Sequence, residues 1–148
     1  MRNLKLGHKE AQEKFFLIGQ NLGYSTKLNY SSDLPSDGIW FTDHPLNLMD
    51  DLPILAIEVI VSESPKVIRG SIRTLENISP ALAILLIHEN EMINRTIKNG
   101  GNIIQARKSI ERVKKLIKQE TSKSQQRFEL WNEKTLDKWD KSVQARVI

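Results

Sequence analysis

Apolar residues recur along this chain in two rhythms. In "GHKEAQEKFFLIGQNLGY", Ala11, Phe15, Ile18 and Leu22 fall at i, i+4, i+7 and i+11. That spacing predicts one buried stripe of a helix, with Gly23 placed to stop it. "STKLNYSS" suits a short strand, and after the turn residues of "LPSDG" the run Ile39-Trp40-Phe41-Thr42 is compact and β-favouring. "HPLNLMDDLP", with its prolines and aspartates, reads as a loop. The run "ILAIEVIVSES" then alternates: Leu55, Ile57, Val59 and Val61 point one way, and Ile54, Ala56, Glu58 and Ile60 the other. Both sides are apolar except at Glu58, the pattern of a central strand covered on both faces. Ser64-Pro65 follows as a helix cap and first turn, predicting a helix over 65–77 with Ile68, Ile72 and Leu75 inward.

"ALAILLIHE" is a second fully apolar strand, ending near His88. Beyond a polar connection and the breaker Gly100-Gly101, "NIIQARKSIERVKKLIKQ" carries the clearest helical period, with Ile103, Ala106, Ile110, Val113 and Ile117 on one face. "SKSQQ" reads as a linker, "RFELW" as an edge strand and "EKTLDKWDKSV" as a last short helix. The expected order is α-β-β-β-α-β-α with a β-α tail. This is a mixed α/β (α+β) domain around a sheet centred on 54–62 and 81–88. Residues 1–121 form its body, and 122–148 are a basic C-terminal extension packed on the same domain.

Composition narrows the functional classes. A chain of 148 residues supports one domain with a real core and is short for two. It has no cysteine, which excludes disulfides, thiolate zinc sites and a cysteine nucleophile. No apolar stretch approaches the roughly 18 residues that span a bilayer, and "MRNLKLGHKE" lacks the apolar core of a secretory signal. The expectation is a soluble, cytoplasmic protein with no membrane partner. Charge is uneven: residues 1–99 hold 10 Lys and Arg against 12 Asp and Glu, whereas residues 100–148 hold 12 against 6. The basic C-terminal half, with Arg107, Lys108, Lys114 and Lys115 on the helix that begins near 103, suits nucleic acid or another acidic partner.

The candidate chemistry starts at Glu58. An ionised carboxylate is costly to bury unless it is paired, hydrogen-bonded or bound to metal. Asp37 opens the preceding strand, and two adjacent strands that each deliver a carboxylate to one sheet edge make a hard-oxygen site for Mg²⁺ or Mn²⁺. Competing readings exist. Asp37-Gly38 is also a turn dipeptide, Glu58 could form a buried ion pair, and Glu10 could simply be solvated. His8, His44 and His88 show no metal-ligand spacing and receive no role. Trp40 reads as core; Trp131 and Trp139 suit base stacking or a dimer contact. Gly100-Gly101 lacks the lysine and spacing of a phosphate loop.

A leading helix bearing a glutamate, "PSDG", "EVI" within an apolar strand, an amphipathic helix and another apolar strand together resemble the PD-(D/E)XK, restriction-endonuclease-like nuclease superfamily over roughly residues 8–88. The resemblance implies an αβββαβ core and a Mg²⁺- or Mn²⁺-dependent endonuclease hydrolysing phosphodiester bonds in DNA, often as a homodimer. It implies Asp37 and Glu58 as metal ligands, joined by the Val59 carbonyl and by Glu10 as an auxiliary acid, Glu13 being nearly as well placed. The chain departs from the pattern at Ile60, which stands where the family has its catalytic lysine. Some members place that lysine elsewhere. Lys66, Arg69 and Arg73 share one polar stripe of the helix that follows, so Lys66 is the first substitute and Arg69 the second, with Arg73 tracking phosphate. The alternative implied by Ile60 is a catalytically inactive nuclease-fold subunit that binds DNA or serves assembly.

Overall fold

The computed structural model describes residues 6–31, 34–42 and 52–147. Helix α1 (Leu6–Asn21) leads into β1 (Ser25–Ser31), β2 (Leu34–Thr42) and β3 (Leu52–Ile60), followed by α2 (Pro65–Ile78) and β4 (Leu82–Ile87). Helices α3 (Glu89–Lys98) and α4 (Ile103–Thr121), strand β5 (Phe128–Asn132) and α5 (Glu133–Val147) complete the chain. His44 and most of the expected 44–53 loop lie outside the described residues; Leu52 and Pro53 begin β3.

The five strands lie in sequence order. β1, β2 and β3 are antiparallel neighbours, whereas β4 runs parallel to β3 and β5 parallel to β4, giving a mixed sheet. The crossover from β3 to β4 is α2, as a parallel pair requires. Period-two alternation assigns each strand residue to a layer. Ile39, Ala56, Ile60, Leu85 and Ile87 face α2 and α4 with Ile68, Ile72, Ile110 and Val113. Trp40, Ile57, Val59, Ile84 and Leu86 face the other way, onto Ala11, Phe15 and Ile18 of α1 and Leu136 and Val143 of α5. The C-terminal extension therefore supplies both a sheet edge and half of one covering layer.

Local chemistry explains the boundaries. Gly23 takes φ 90°, the left-handed conformation that ends α1; Leu22 falls beyond the helix and is exposed, so it leaves the expected stripe. Ser64 caps α2 by accepting from Val67 N–H, with Pro65 in the first turn. Asn102 and Gln105 form a reciprocal capping box at the start of α4. Ile103, expected on the buried face of α4, is exposed at that first turn. One element departs from expectation: the polar connection after β4 is helix α3.

Candidate functional site: an opposed pair of carboxylates

The β2–β3 register pairs Gly38 with Ile57, which sets Asp37 opposite Glu58. Asp37-Gly38 is therefore strand rather than turn. Glycine is required at 38 for packing, because a Cβ there would come within 2.8 Å of the Phe15 ring. Gly38–Ile57 is the last pair at this end of the β2–β3 ladder, so Asp37 and Glu58 stand just beyond it, within reach of a hydrogen bond between their carboxyls and of His8 and Gln12 from α1.

Asp37 is held from several directions. Its Oδ2 accepts from Val59 N–H at 2.7 Å, and its Oδ1 lies 3.1 Å from His8 Nε2. Gln12 Nε2 donates to both Oδ1 and the Asp37 carbonyl at 3.2 Å. Burial alone would raise the Asp37 pKa, but hydrogen bonds from His8, Glu58 and Val59 outweigh it and hold the carboxyl below its usual range. His8 responds in kind: its hydrogen bond to Asp37 raises its pKa above the usual imidazole value against the pull of burial. Glu58, only 9 % exposed, is pushed up to about 10, first by burial and then by the hydrogen bond and charge of Asp37. At neutral pH Glu58 therefore keeps its proton and donates to an ionised Asp37, while the hydrogen bond to Asp37 favours the protonated form of His8. Like charges this close cannot both ionise, so one carboxyl keeps its proton.

The other expected residues are distributed unevenly. Glu10 turns away from Asp37; it pairs with Lys14 at 3.2 Å, and Lys14 also bonds Asp137 of α5. Glu13 is exposed. The α1 residues that reach Asp37 are His8 and Gln12, which flank the buried stripe at i and i+4. Ile60 is 1 % exposed and packs in the layer under α2 and α4. Lys66, Arg69 and Arg73 are exposed on α2, opposite its inward residues Ile68, Ile72 and Leu75, and Arg69 bonds Glu120 at 3.4 Å. On α4, Lys114 pairs with Glu111 and Glu89, Lys115 is exposed, and Arg107 and Lys108 line a cleft of about 1050 Å³. Trp40 is core, its indole N–H donating to the Phe15 carbonyl at 2.9 Å, while Trp131 and Trp139 stack on each other at 6.4 Å.

His8 was legible in principle, since positions 8, 12 and 15 lie on one side of α1. What the chain alone did not reveal is that this side docks over Asp37. Among the described residues no group of three or more His, Asp or Glu side chains is arranged to hold a metal, and no helix is long and apolar enough to cross a membrane. The hard-oxygen donors at hand are the two opposed carboxyls, together with the Val59 carbonyl. In a strand that carbonyl points to the same side as the Val59 N–H that Asp37 accepts. Comparisons of the chain with protein-family models, with curated proteins and with solved structures find no match.

Proposed function

We propose that this chain is a nuclease-fold domain that hydrolyses phosphodiester bonds in DNA with Mg²⁺ or Mn²⁺ held between Asp37 and Glu58. The observation that carries the reading is the opposition of the two carboxyls across β2–β3, close enough to share the Glu58 proton in a hydrogen bond. A divalent cation is the natural replacement for that proton, because it lets both oxygens carry charge at once. When bound, such an ion supplies Lewis acidity and a water of lowered pKa. The chain's own part is to aim the oxygens. Val59 N–H and Gln12 fix the Asp37 carboxylate, and the His8 imidazole hydrogen-bonds it from α1.

A second reading keeps the fold without the chemistry, as a DNA-binding subunit. Two observations favour it: Ile60 fills the lysine position with packed hydrocarbon, and both Asp37 oxygens already accept hydrogen bonds.

Titration of Mn²⁺ into the protein by calorimetry, in two buffers of different ionisation enthalpy, separates the two. In the nuclease reading the ion displaces the Glu58 proton, so the apparent heat changes with buffer by about one proton per site. Asp37→Asn abolishes both the binding and Mg²⁺-dependent plasmid nicking. Absence of metal binding and nicking in the wild type would sink the nuclease reading and leave the binder.

A further inference from the structure

Beyond the end of β3, only three residues past Glu58, the chain forms the floor of the 1050 Å³ cleft with Val61, Ser62 and Glu63. Its walls come from α3 and α4. Four cations line it, Arg95, Arg107, Lys108 and Arg112, against two carboxylates, Glu63 and Glu111. One of those acids, Glu63, sits 3.8 Å from Arg112, and both side chains are largely solvent-exposed, so that pair is readily exchanged for an outside anion. The volume matches the largest small-molecule pockets, yet the lining is dominated by charge rather than by aromatic surface.

Arg95 lines this cleft and also stands near the start of α1, which carries His8. It sits on α3 one turn beyond Glu91, whose carboxylate is 3.7 Å away. The start of α1 rests on that same stripe of α3: a Cβ on Gly7 would lie 2.9 Å from Glu91 Oε2. The charge of Arg95 is accordingly felt at His8, the residue in contact with Asp37.

We propose that the cleft between the end of β3, α3 and α4 receives the phosphate backbone of a nucleic acid, with Arg95 at its inner end holding the phosphate nearest the Asp37–Glu58 pair. The inference deepens the nuclease reading by naming where the substrate lies and which cation takes over phosphate holding in a chain whose motif position is Ile60. Charge complementarity selects the occupant: a polyanion with regularly spaced phosphates meets several of these cations together, whereas a single small anion meets one. Lys66 and Arg73, on the polar stripe of α2, do not line this cleft.

The test measures binding of a fluorescent 20-base-pair DNA to the full chain in EDTA, at several salt concentrations. Arg107→Ala/Lys108→Ala lowers affinity about tenfold or more and reduces the slope of log K against log salt by about one to two. Arg95→Ala reduces that slope by about one, and Arg95→Lys restores it. Lys118→Ala/Lys123→Ala removes the same charge from exposed positions outside the cleft and changes affinity less than about twofold. Equal loss in this last variant, an unchanged slope in Arg95→Ala, or no binding by wild type overturns the proposal, as does preference for anionic lipid vesicles over DNA. Because EDTA removes metal from the measurement, failure of nicking alone would retire the nuclease reading while leaving the cleft standing.

Discussion

Among the described residues, two histidine–carboxylate contacts lie at the C-terminal end of the parallel strands: a half-buried one, His8–Asp37 at 3.1 Å, and a buried one, His88–Glu133 at 2.9 Å. His88 follows β4 directly, and its backbone N–H donates to Ile60 O, so the two contacts lie at the same end of neighbouring strands. Glu133 is a closed pair. Burial would raise its pKa, but His88 and the Asn90 N–H at the start of α3 outweigh that and lower it. His88 Nδ1 also lies 3.2 Å from Glu91 N, and one nitrogen cannot accept there while donating to Glu133. The shorter contact to a carboxylate puts the proton on Nδ1. At the other contact a second acid, Glu58, joins the histidine and carboxylate, and its pKa moves to about 10 instead. A buried acid whose neighbours are donors is finished structure. One whose neighbour is another acid holds a proton that an incoming cation can replace.

The harshest way to break this contrast is to supply the missing cation. Ile60→Lys places an ammonium on the same strand face as Glu58, in a layer packed by Ile68, Ile72 and Ile87. A stability loss of about 3 kcal/mol is expected, because the charge is buried faster than Glu58 can compensate it. Urea unfolding at pH 7 measures it. An unchanged midpoint together with new Mg²⁺-dependent nicking would show that the position has room for lysine and that the site is not closed by packing.

The next effect falls on the closed pair. Glu133→Gln gives up charge-assisted hydrogen bonds from His88 and Asn90 N–H and costs about 2 kcal/mol at neutral pH. Glu133 has a depressed folded pKa, so its contribution is present above its ordinary value near 4.5 and is lost as pH falls through the lower folded value. The wild-type and Glu133→Gln stabilities should therefore converge as pH drops from 6 to 3, roughly. Parallel curves over that range would show that Glu133 contributes packing rather than charge.

These two contacts also mark what a reader of the sequence can reach. The β3 and β4 runs and the α2 and α4 stripes follow from periodicity, which depends only on neighbours along the chain, whereas the pairing of Asp37 with Glu58 is suggested by the cost of burying Glu58 and by the resemblance. Helix α3 does not follow from periodicity, because its inward apolar residues are Met92 and the partly buried Ile93 beside a buried Glu91, and the residue at its N-cap is His88 rather than serine or aspartate. The partners His8, Gln12 and Glu133 depend on how α1 and α5 dock over the sheet. Glu10 was a reasonable choice by residue type, yet a two-residue difference on α1 turns it from Asp37 toward Lys14, which it shares with Asp137. Long-range docking decides such matters, and local pattern carries no record of it.

The last effect sharpens the contrast most, because its sign is opposite. Glu58 has a raised folded pKa, so the folded state holds a proton that the unfolded chain releases above about 4.5. Linkage then makes the wild type lose stability as pH rises between that value and about 10, with a limiting slope of about 1.4 kcal/mol per pH unit. His8, with its own raised pKa, adds to the loss as pH rises above the usual imidazole range. Glu58→Gln keeps the shape and a donor for Asp37 but has no proton to lose. It should match the wild type near pH 4 and exceed it by about 3 kcal/mol at pH 7, the margin growing toward pH 9. Thermal unfolding across that range, without added metal, reads the difference directly. A variant that is less stable than wild type at every pH would mean that Glu58 is ionised and paired, which would make the two contacts alike and remove the exchangeable proton on which the metal site depends.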